Sequence, residues 1–414
     1  MDIVFNSPSV KEHVRAISSK SEAHRALICA SLADCETKII CTDTNADIDA
    51  TALCLNSLGA CIKRTEDGFL VTPINSVAKN ASLDANESGS TLRFLLPLAA
   101  SLGADCSFIM RGRLASRPLS PLYELLSDNG VSLSPQGTSP LSVSGKLKAG
   151  DYTLMANISS QYISGMLFAL SAADGKSILR LSAKVESAPY ILMTLDTLKK
   201  FGAEIEFDSE NNIFYINGKE RLVSPRLFTV GGDWSNAAFM LAAGAIGSHK
   251  VTLSGLDTSS RQGDSAILSL LSDMGAETRI ENGEITVFPS KLHGISIDAA
   301  DIPDLVPILS VTAAVAEGET VIYNASRLRL KESDRIESVC ALLSSLGAII
   351  SKTEDGMRIR GKKRLSGGSV DSFNDHRIAM SAAVASLVCE NGVKISRFEA
   401  INKSFPSFLD NFDL

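Results

Sequence analysis

"LNSLGACIKRTEDGFLV" at residues 55–71 returns almost unchanged as "LSSLGAIISKTEDGMRI" at residues 343–359. Weaker copies are "LLSDNGVSLS" around Gly130, "LKKFGAEIEF" around Gly202 and "LLSDMGAETRIENGEITV" around Gly275. The shared glycines, Gly59, Gly130, Gly202, Gly275 and Gly347, are spaced 71, 72, 73 and 72 positions apart. Each copy has one local reading. An apolar-periodic helix ends at a glycine able to take the left-handed C-cap conformation. A strand follows, then a turn such as Glu-Asp-Gly or Glu-Asn-Gly, then a second strand.

A second pattern recurs in step with the first. Small-residue helices run into strands at "ICASLADCETKIICT", "LAASLGADCSFIMRG", "FALSAADGKSILRLS", "LAAGAIGSHKVTLSG", "TAAVAEGETVIYN" and "AVASLVCENGVKISR", six copies against five glycine-capped ones. The missing partner falls at the C-terminal "FPSFLDNFDL", read as a helix, and needs a strand from elsewhere. The N-terminal "DIVFN" is the natural donor. The array then closes on itself and is not an open solenoid, and one domain is discontinuous. Six units of about 70 residues fit three to a domain in two domains, a grouping that rests on the joined ends and on the "GGDW" break near Gly231.

The totals bound the function. The chain has 414 residues, 45% hydrophobic, enough for two or three domains with ample core. Forty basic against 47 acidic residues give a formal charge of −7, which argues against a general nucleic-acid or membrane-surface binder. The eight cysteines form no CxxC pair and no Cys/His metal spacing. With no secretory leader at Met1, they are expected to be reduced thiols in a cytoplasmic protein. The five histidines are not spaced as ligands, so no metal is expected. No apolar run approaches the roughly 20 residues of a membrane span.

Polar residues gather where the small-residue helices begin: Lys20, Ser21 and Arg25; Glu87, Ser88, Gly89 and Arg93; Ser159, Ser160 and Gln161; Asp233, Ser235 and Asn236; Asp301 and Asp304; Asn374, Asp375, His376 and Arg377. Ser, Asp and Asn are good N-caps worth about 1 kcal/mol each, and capping accounts for most of them. It does not account for Lys20, Arg25, Arg93 and Arg377, because a cation in the first turns opposes the helix dipole. Cations beside free backbone N–H groups make sense where an anion binds between them. "RGRLASRPLSPL" (111–122), "RLRLKESDRIES" (327–338) and Lys403 in "NKSFPSF" add more positive charge. Lys331 and Arg335 are four apart, so one helix would set them on one face beside Glu332, with Asp334 as an internal ion-pair partner. Two multiply charged anions would use this many cations.

"SKSEAHRALICASLA", "ESGSTLRFLLP", "SRPLSPL", "SSQYISGML", "SAPYILMTL", "IPDL", "LKESDRIES", "NDHRIAM" and "NKSFP" stand in the order found in the 5-enolpyruvylshikimate-3-phosphate synthase family, which the chain resembles from Lys20 to Phe405. The resemblance implies an α/β fold, a two-domain inverse α/β barrel of the enolpyruvyl transferase type with three βαβαββ units per domain. Residues 1–17 plus 231–414 would form one domain and 18–230 the other, with the active site in the interdomain cleft. The implied reaction moves enolpyruvate from phosphoenolpyruvate to the 5-hydroxyl of shikimate 3-phosphate and releases phosphate. No cofactor, nucleic acid or membrane takes part, and the protein is expected to be a cytoplasmic monomer.

Residue roles follow from the same resemblance. Lys20, Ser21, Arg25, Ser159, Ser160, Gln161, Ser187, Asp304, Arg327 and Lys331 would hold shikimate 3-phosphate, with Tyr190 packed on its ring. Lys20, Gly89, Arg117, Gln161, Arg335, Arg377 and Lys403 would hold phosphoenolpyruvate. Asp304 would be the base at the hydroxyl and Glu332 the acid at the methylene carbon, with Lys20 sharing proton transfer. Glu87 and Arg327 depart from the family, where many members carry Asn. Gly89 leaves room for the analogue glyphosate, and sensitivity to it is expected. The sister transferase acting on UDP-N-acetylglucosamine carries a loop cysteine where this chain has Gly112. A non-catalytic repeat scaffold would expose apolar or aromatic surface, and aromatics make up only 6%.

Overall fold

The computed structural model describes residues 1–6, 8–183, 185–219 and 221–413. The chain divides into two compact units, Ser18–Val230 and Met1–Ile17 with Gly231–Leu414. No described helix is long and apolar enough to cross a membrane.

Ser18–Val230 carries three four-stranded sheets of one design. In each, a first strand runs parallel to a second, the second pairs antiparallel with a fourth, and the fourth with a third. Ala81–Asp84, Cys106–Ile109, Leu141–Gly145 and Val131–Leu133 follow this order. Asp151–Met155, Gly175–Ser182, Ile213–Gly218 and Glu204–Asp208 repeat it. In the third sheet the first strand is Leu227–Thr229, from the far end of the unit, lying parallel to Thr37–Ile40. The repeats of this unit are thus closed by its own last strand.

The other unit closes in the same way from the opposite end of the chain. His13–Arg15 lies parallel to Val251–Ser254, and Ser296–Asp298 parallel to Glu319–Tyr323. In the third sheet Gly368–Asp371 is parallel to Val393–Ser396, and Ile3–Phe5 completes it antiparallel, with Val4 opposite Lys394. The donated N-terminal strand is as the repeat count required. The C-terminal "FPSFLDNFDL" is not an α-helix. It forms a 3-10 turn, Phe408–Asn411, and a short strand, Phe412–Asp413, paired with Ser9–Val10. Phe405, Phe408 and Phe412 mimic helical spacing, but Phe412 pairs as a strand with Val10 in place of a last helical turn, and that path still buries all three rings.

The first helix of each repeat is buried nearly all round, as an all-apolar helix must be. Gly89–Leu102 and Ser160–Ala172 pack together, and a Cβ on Gly165 would sit 2.2 Å from the carbonyl oxygen of Arg93, so only glycine allows this approach. Trp234–Ile246, Val306–Ala313 and His376–Ala385 pack on one another in the other unit. With their flanks buried, what these helices offer chemically is their starts.

Candidate active site

Within Ser18–Val230, four helix starts are tied by side chains. Ser19, Ser88 and Ser159 cap the helices Lys20–Ser31, Gly89–Leu102 and Ser160–Ala172 through Glu22 N, Thr91 N and Gln161 N. Ser187, in the left-handed region at φ 55°, precedes the helix Ala188–Lys200. Arg25 is 2% exposed and donates from Nε to Thr194 Oγ1 (2.8 Å) and from Nη2 to the Tyr190 carbonyl (2.9 Å). The Ser164 hydroxyl lies 2.7 Å from the same Thr194 Oγ1, which joins the helices that start at Ala188 and Ser160. Gln161 accepts from Arg93 Nη1 (2.8 Å) and donates to Ser90 Oγ (2.9 Å), joining the helices that start at Ser160 and Gly89. Arg117 flanks Gly89, where a Cβ would lie 2.9 Å from its Nη1. Lys20 Nζ pairs with Asp47 Oδ2 at 2.9 Å. Burial lowers the Arg25 guanidinium to about 10, which leaves it charged at neutral pH.

The second cluster lies wholly within the other unit and centres on Arg335, the first residue of the helix Arg335–Ser345. Its guanidinium is 1% exposed and donates to Asp304 Oδ1 (2.7 Å), Glu332 Oε2 (2.8 Å) and Asp375 Oδ2 (2.9 Å). Asp304 also meets Arg377 Nη2 (3.2 Å) and Lys331 Nζ (3.4 Å). Lys403 Nζ donates to the Asn374 carbonyl at 2.7 Å, beside the start of His376–Ala385. Arg327 stands slightly apart and donates to the Ala300 carbonyl at 2.8 Å. Asp304 caps no helix: Leu305 is the N-cap of Val306–Ala313 and makes no side-chain bond there.

Electrostatics follow from this packing. Burial pushes the Asp304 carboxyl up, but Arg377, Lys331 and Arg335 outweigh it and hold the group well below the usual carboxylate range. Burial lowers Lys331, and Asp304 offsets part of that. Asp264 is pushed up to about 6 by burial and by the Asp304 charge, with Arg377 opposing. A buried arginine bonded to three carboxylates is held in one orientation with its charge intact.

The expected site residues therefore fall in two groups. Lys20, Ser21, Arg25, Gly89, Arg117, Ser159, Ser160, Gln161 and Ser187 belong to the first, and Asp304, Arg327, Lys331, Glu332, Arg335, Arg377 and Lys403 to the second. One geometric premise fails. Lys331 ends the 3-10 turn Ser326–Leu330 and is not on the helix with Arg335; the two converge only because both reach Asp304. Asp334 does pair internally, with Arg329 at 3.1 Å, while capping the helix. Four residues outside the expected set proved structural to these clusters: Asp47, Arg93, Asp264 and Asp375. Arg93 and Asp375 were visible as polar residues at helix starts. Their pairings, with Gln161 68 positions away and Arg335 40 positions away, were not. No group of three or more His, Cys, Asp or Glu able to hold a metal occurs among the described residues.

The two-unit repeat architecture is that of the enolpyruvyl transferases. An EPSP synthase from Acinetobacter baumannii superposes with a TM-score of 0.80 at 26% identity, over 100% of this chain and 98% of that one. The enolpyruvyl transferase NikO from Streptomyces tendae shares the fold alone, with a TM-score of 0.78 at 17% identity over 99% and 95%. The sequence model of EPSP synthase (3-phosphoshikimate 1-carboxyvinyltransferase) matches residues 6–412. Two proteins named 3-phosphoshikimate 1-carboxyvinyltransferase are similar over nearly their whole length. That of Clostridium novyi is 42% identical over 95% of this chain and 93% of its own, and that of Clostridium kluyveri 40% over 99% and 96%. The chain belongs to the EPSP synthase family.

Proposed function

We propose that this enzyme transfers the enolpyruvyl group of phosphoenolpyruvate to the 5-hydroxyl of 3-phosphoshikimate, releasing phosphate, and that the two clusters do this work. The observation that carries the reading is Asp304. One carboxylate is held by Lys331, Arg335 and Arg377 at 3.4, 2.7 and 3.2 Å, at the start of buried helices. Lys20, Ser21, Arg25, Ser159, Ser160, Gln161, Ser187, Arg327 and Lys331 hold the shikimate phosphate and hydroxyls. Lys20, Gly89, Arg117, Gln161, Arg335, Arg377 and Lys403 hold phosphoenolpyruvate.

The chemistry needs one proton delivered and one removed. Glu332 protonates the methylene carbon while the 5-hydroxyl oxygen attacks C2, and Asp304 takes the hydroxyl proton, with Lys20 sharing the transfer. The tetrahedral adduct then loses phosphate as the C2–O bond breaks and the methyl group returns its proton. The arginines and Lys403 stabilise charge on the leaving phosphate. Substrate anions compete with Asp304 and Glu332 for Arg335 and Arg377, and so free both carboxyl groups to carry protons. The enzyme acts as a cytoplasmic monomer on these small molecules, and glyphosate inhibits it at the Gly89 side.

Phosphate release from phosphoenolpyruvate with 3-phosphoshikimate as acceptor tests the reading. Asp304→Ala, Glu332→Ala and Lys403→Ala should each cost on the order of 100-fold in kcat, the scale of one preorganised group. Release with UDP-N-acetylglucosamine but not with 3-phosphoshikimate would assign the sister reaction instead.

A further inference from the structure

We propose that His24 is a positioning residue. Neutral and protonated on Nδ1, it orders a chain of hydroxyls through Thr51 and Thr91 that leaves Ser88 a hydrogen-bond donor beside Gly89. The proposal rests on the reading that this helix start takes phosphoenolpyruvate.

His24 is fully buried in the helix Lys20–Ser31. Its Nδ1 lies 2.7 Å from Thr51 Oγ1, which lies 2.7 Å from Thr91 Oγ1, which lies 2.8 Å from Ser88 Oγ. Nε2 is buried with no hydrogen-bond partner among the described residues, and the ring meets Phe94 at 86° with centroids 6.4 Å apart. Burial, with Lys20 and Arg25 nearby, holds the imidazole well below its ordinary range, so the ring carries one proton for two nitrogens.

On Nε2 that proton would be a buried donor with no hydrogen-bond acceptor among the described residues, at the desolvation cost of an unmade bond. On Nδ1 it is donated to Thr51, and only a lone pair goes without. Each hydroxyl has one proton: Thr51 gives its own to Thr91, and Thr91 donates to Ser88 at 2.8 Å in preference to the Asp47 carbonyl, which lies at the longer 3.4 Å. Ser88 Oγ also accepts the Thr91 N–H at 3.2 Å. Both its lone pairs are thereby filled, and its own proton points out of the chain. The other tautomer would reverse every bond and present Ser88 to an anion as an acceptor, the wrong polarity.

Long-range nitrogen–proton NMR of the histidine ring in the full-length protein reads the tautomer directly. The expected result is a protonated Nδ1 and a bare Nε2, unchanged between about pH 6 and pH 8 around the ordinary histidine range. A protonated Nε2 overturns the proposal. In kinetics, His24→Leu and Thr51→Val should each raise the KM for phosphoenolpyruvate on the order of tenfold, with the KM for 3-phosphoshikimate within about twofold. The double variant should be no worse than either alone, because both cut one chain. Thr51→Ser, which keeps the hydroxyl, should restore the KM. Additive losses, or equal rises in both KM values, would count against the relay. A wild-type protein that releases no phosphate would remove the functional reading while the NMR result still stood or fell by itself.

Discussion

Arg335 has its guanidinium shared among three carboxylates at 1% exposure, and removing any one partner would leave buried charge uncompensated. Motif order singled out Arg335, Glu332 and Asp304, and the structure brings the three together. It could not show that Asp375 joins them, because the contact with Arg335 spans 40 positions and its place after Asn374 looks like an ordinary N-cap. Asp264 was still less visible, lying in a 3-10 turn, Gly263–Ala266, with no motif around it. It now carries a pH prediction. Its carboxyl titrates at about 6 in the fold against 3.8 in an open chain, raised by burial and by Asp304. Between those values the folded state holds a proton that the unfolded chain has released, so this group's contribution to stability falls as pH rises and stays at its lower level above about 6. Asp264→Asn cannot lose that proton, and its amide oxygen can still accept from Ser235 Oγ. Relative to the variant, wild type should lose roughly 1–3 kcal/mol in urea unfolding across this window. Parallel pH profiles for the two proteins would show that Asp264 does not titrate there. The groups facing it are Asp304 and Asp233, which raise it, and Arg377 and Ser235, which lower it.

At the scale of elements, the repeat glycines were the most legible feature, and all five take positive φ: 116° at Gly59, 87° at Gly130, 72° at Gly202, 97° at Gly275 and 82° at Gly347. The reason is local and so is readable from local sequence: a helix must stop, and its last carbonyls need partners beyond a left-handed residue. The hairpin at Asn282-Gly283 was equally plain, with both residues at positive φ between the strands Glu277–Glu281 and Glu284–Phe288. What local sequence could not supply was the meeting of Lys331 and Arg335, which depends on Asp304 from another element and not on helical spacing. Two of the five glycines predict different costs. At Gly59 a Cβ would lie 2.4 Å from the Ser76 carbonyl oxygen, fixed backbone. At Gly347 it would lie 2.6 Å from Ser366 Oγ, a side chain that can turn away. Gly59→Ala should therefore destabilise by about 2–4 kcal/mol and Gly347→Ala by about 1–2 kcal/mol in thermal melts. Equal shifts in Tm would mean that backbone conformation alone, and not the carbonyl contact, sets the cost.

At the scale of the molecule, the odd count of repeat elements demanded that the chain's beginning complete its end, and Ile3–Phe5 does so against Val393–Ser396. Closure is a topological requirement, so it survives in the sequence even though the pairing spans about 390 residues. Phe5 is the anchor of that closure. It is fully buried, its ring lies 5.8 Å from Phe398 and 5.7 Å from Phe412, and the last of these belongs to the C-terminal strand. Phe408 joins the same cluster and packs edge-on to Phe239, on the buried helix Trp234–Ile246. The strand that closes the unit is thus coupled through aromatic rings to the helix carrying Trp234, the chain's one tryptophan. Phe5→Ala should cost about 3–5 kcal/mol, the price of a large cavity in a tight core. Trp234 is buried in that unit, so its emission in urea reports the loss directly, as a lower midpoint with little change in slope. An unchanged Trp234 midpoint would mean that Ile3–Phe5 is a dispensable edge and that the unit holds together without its sixth repeat being completed.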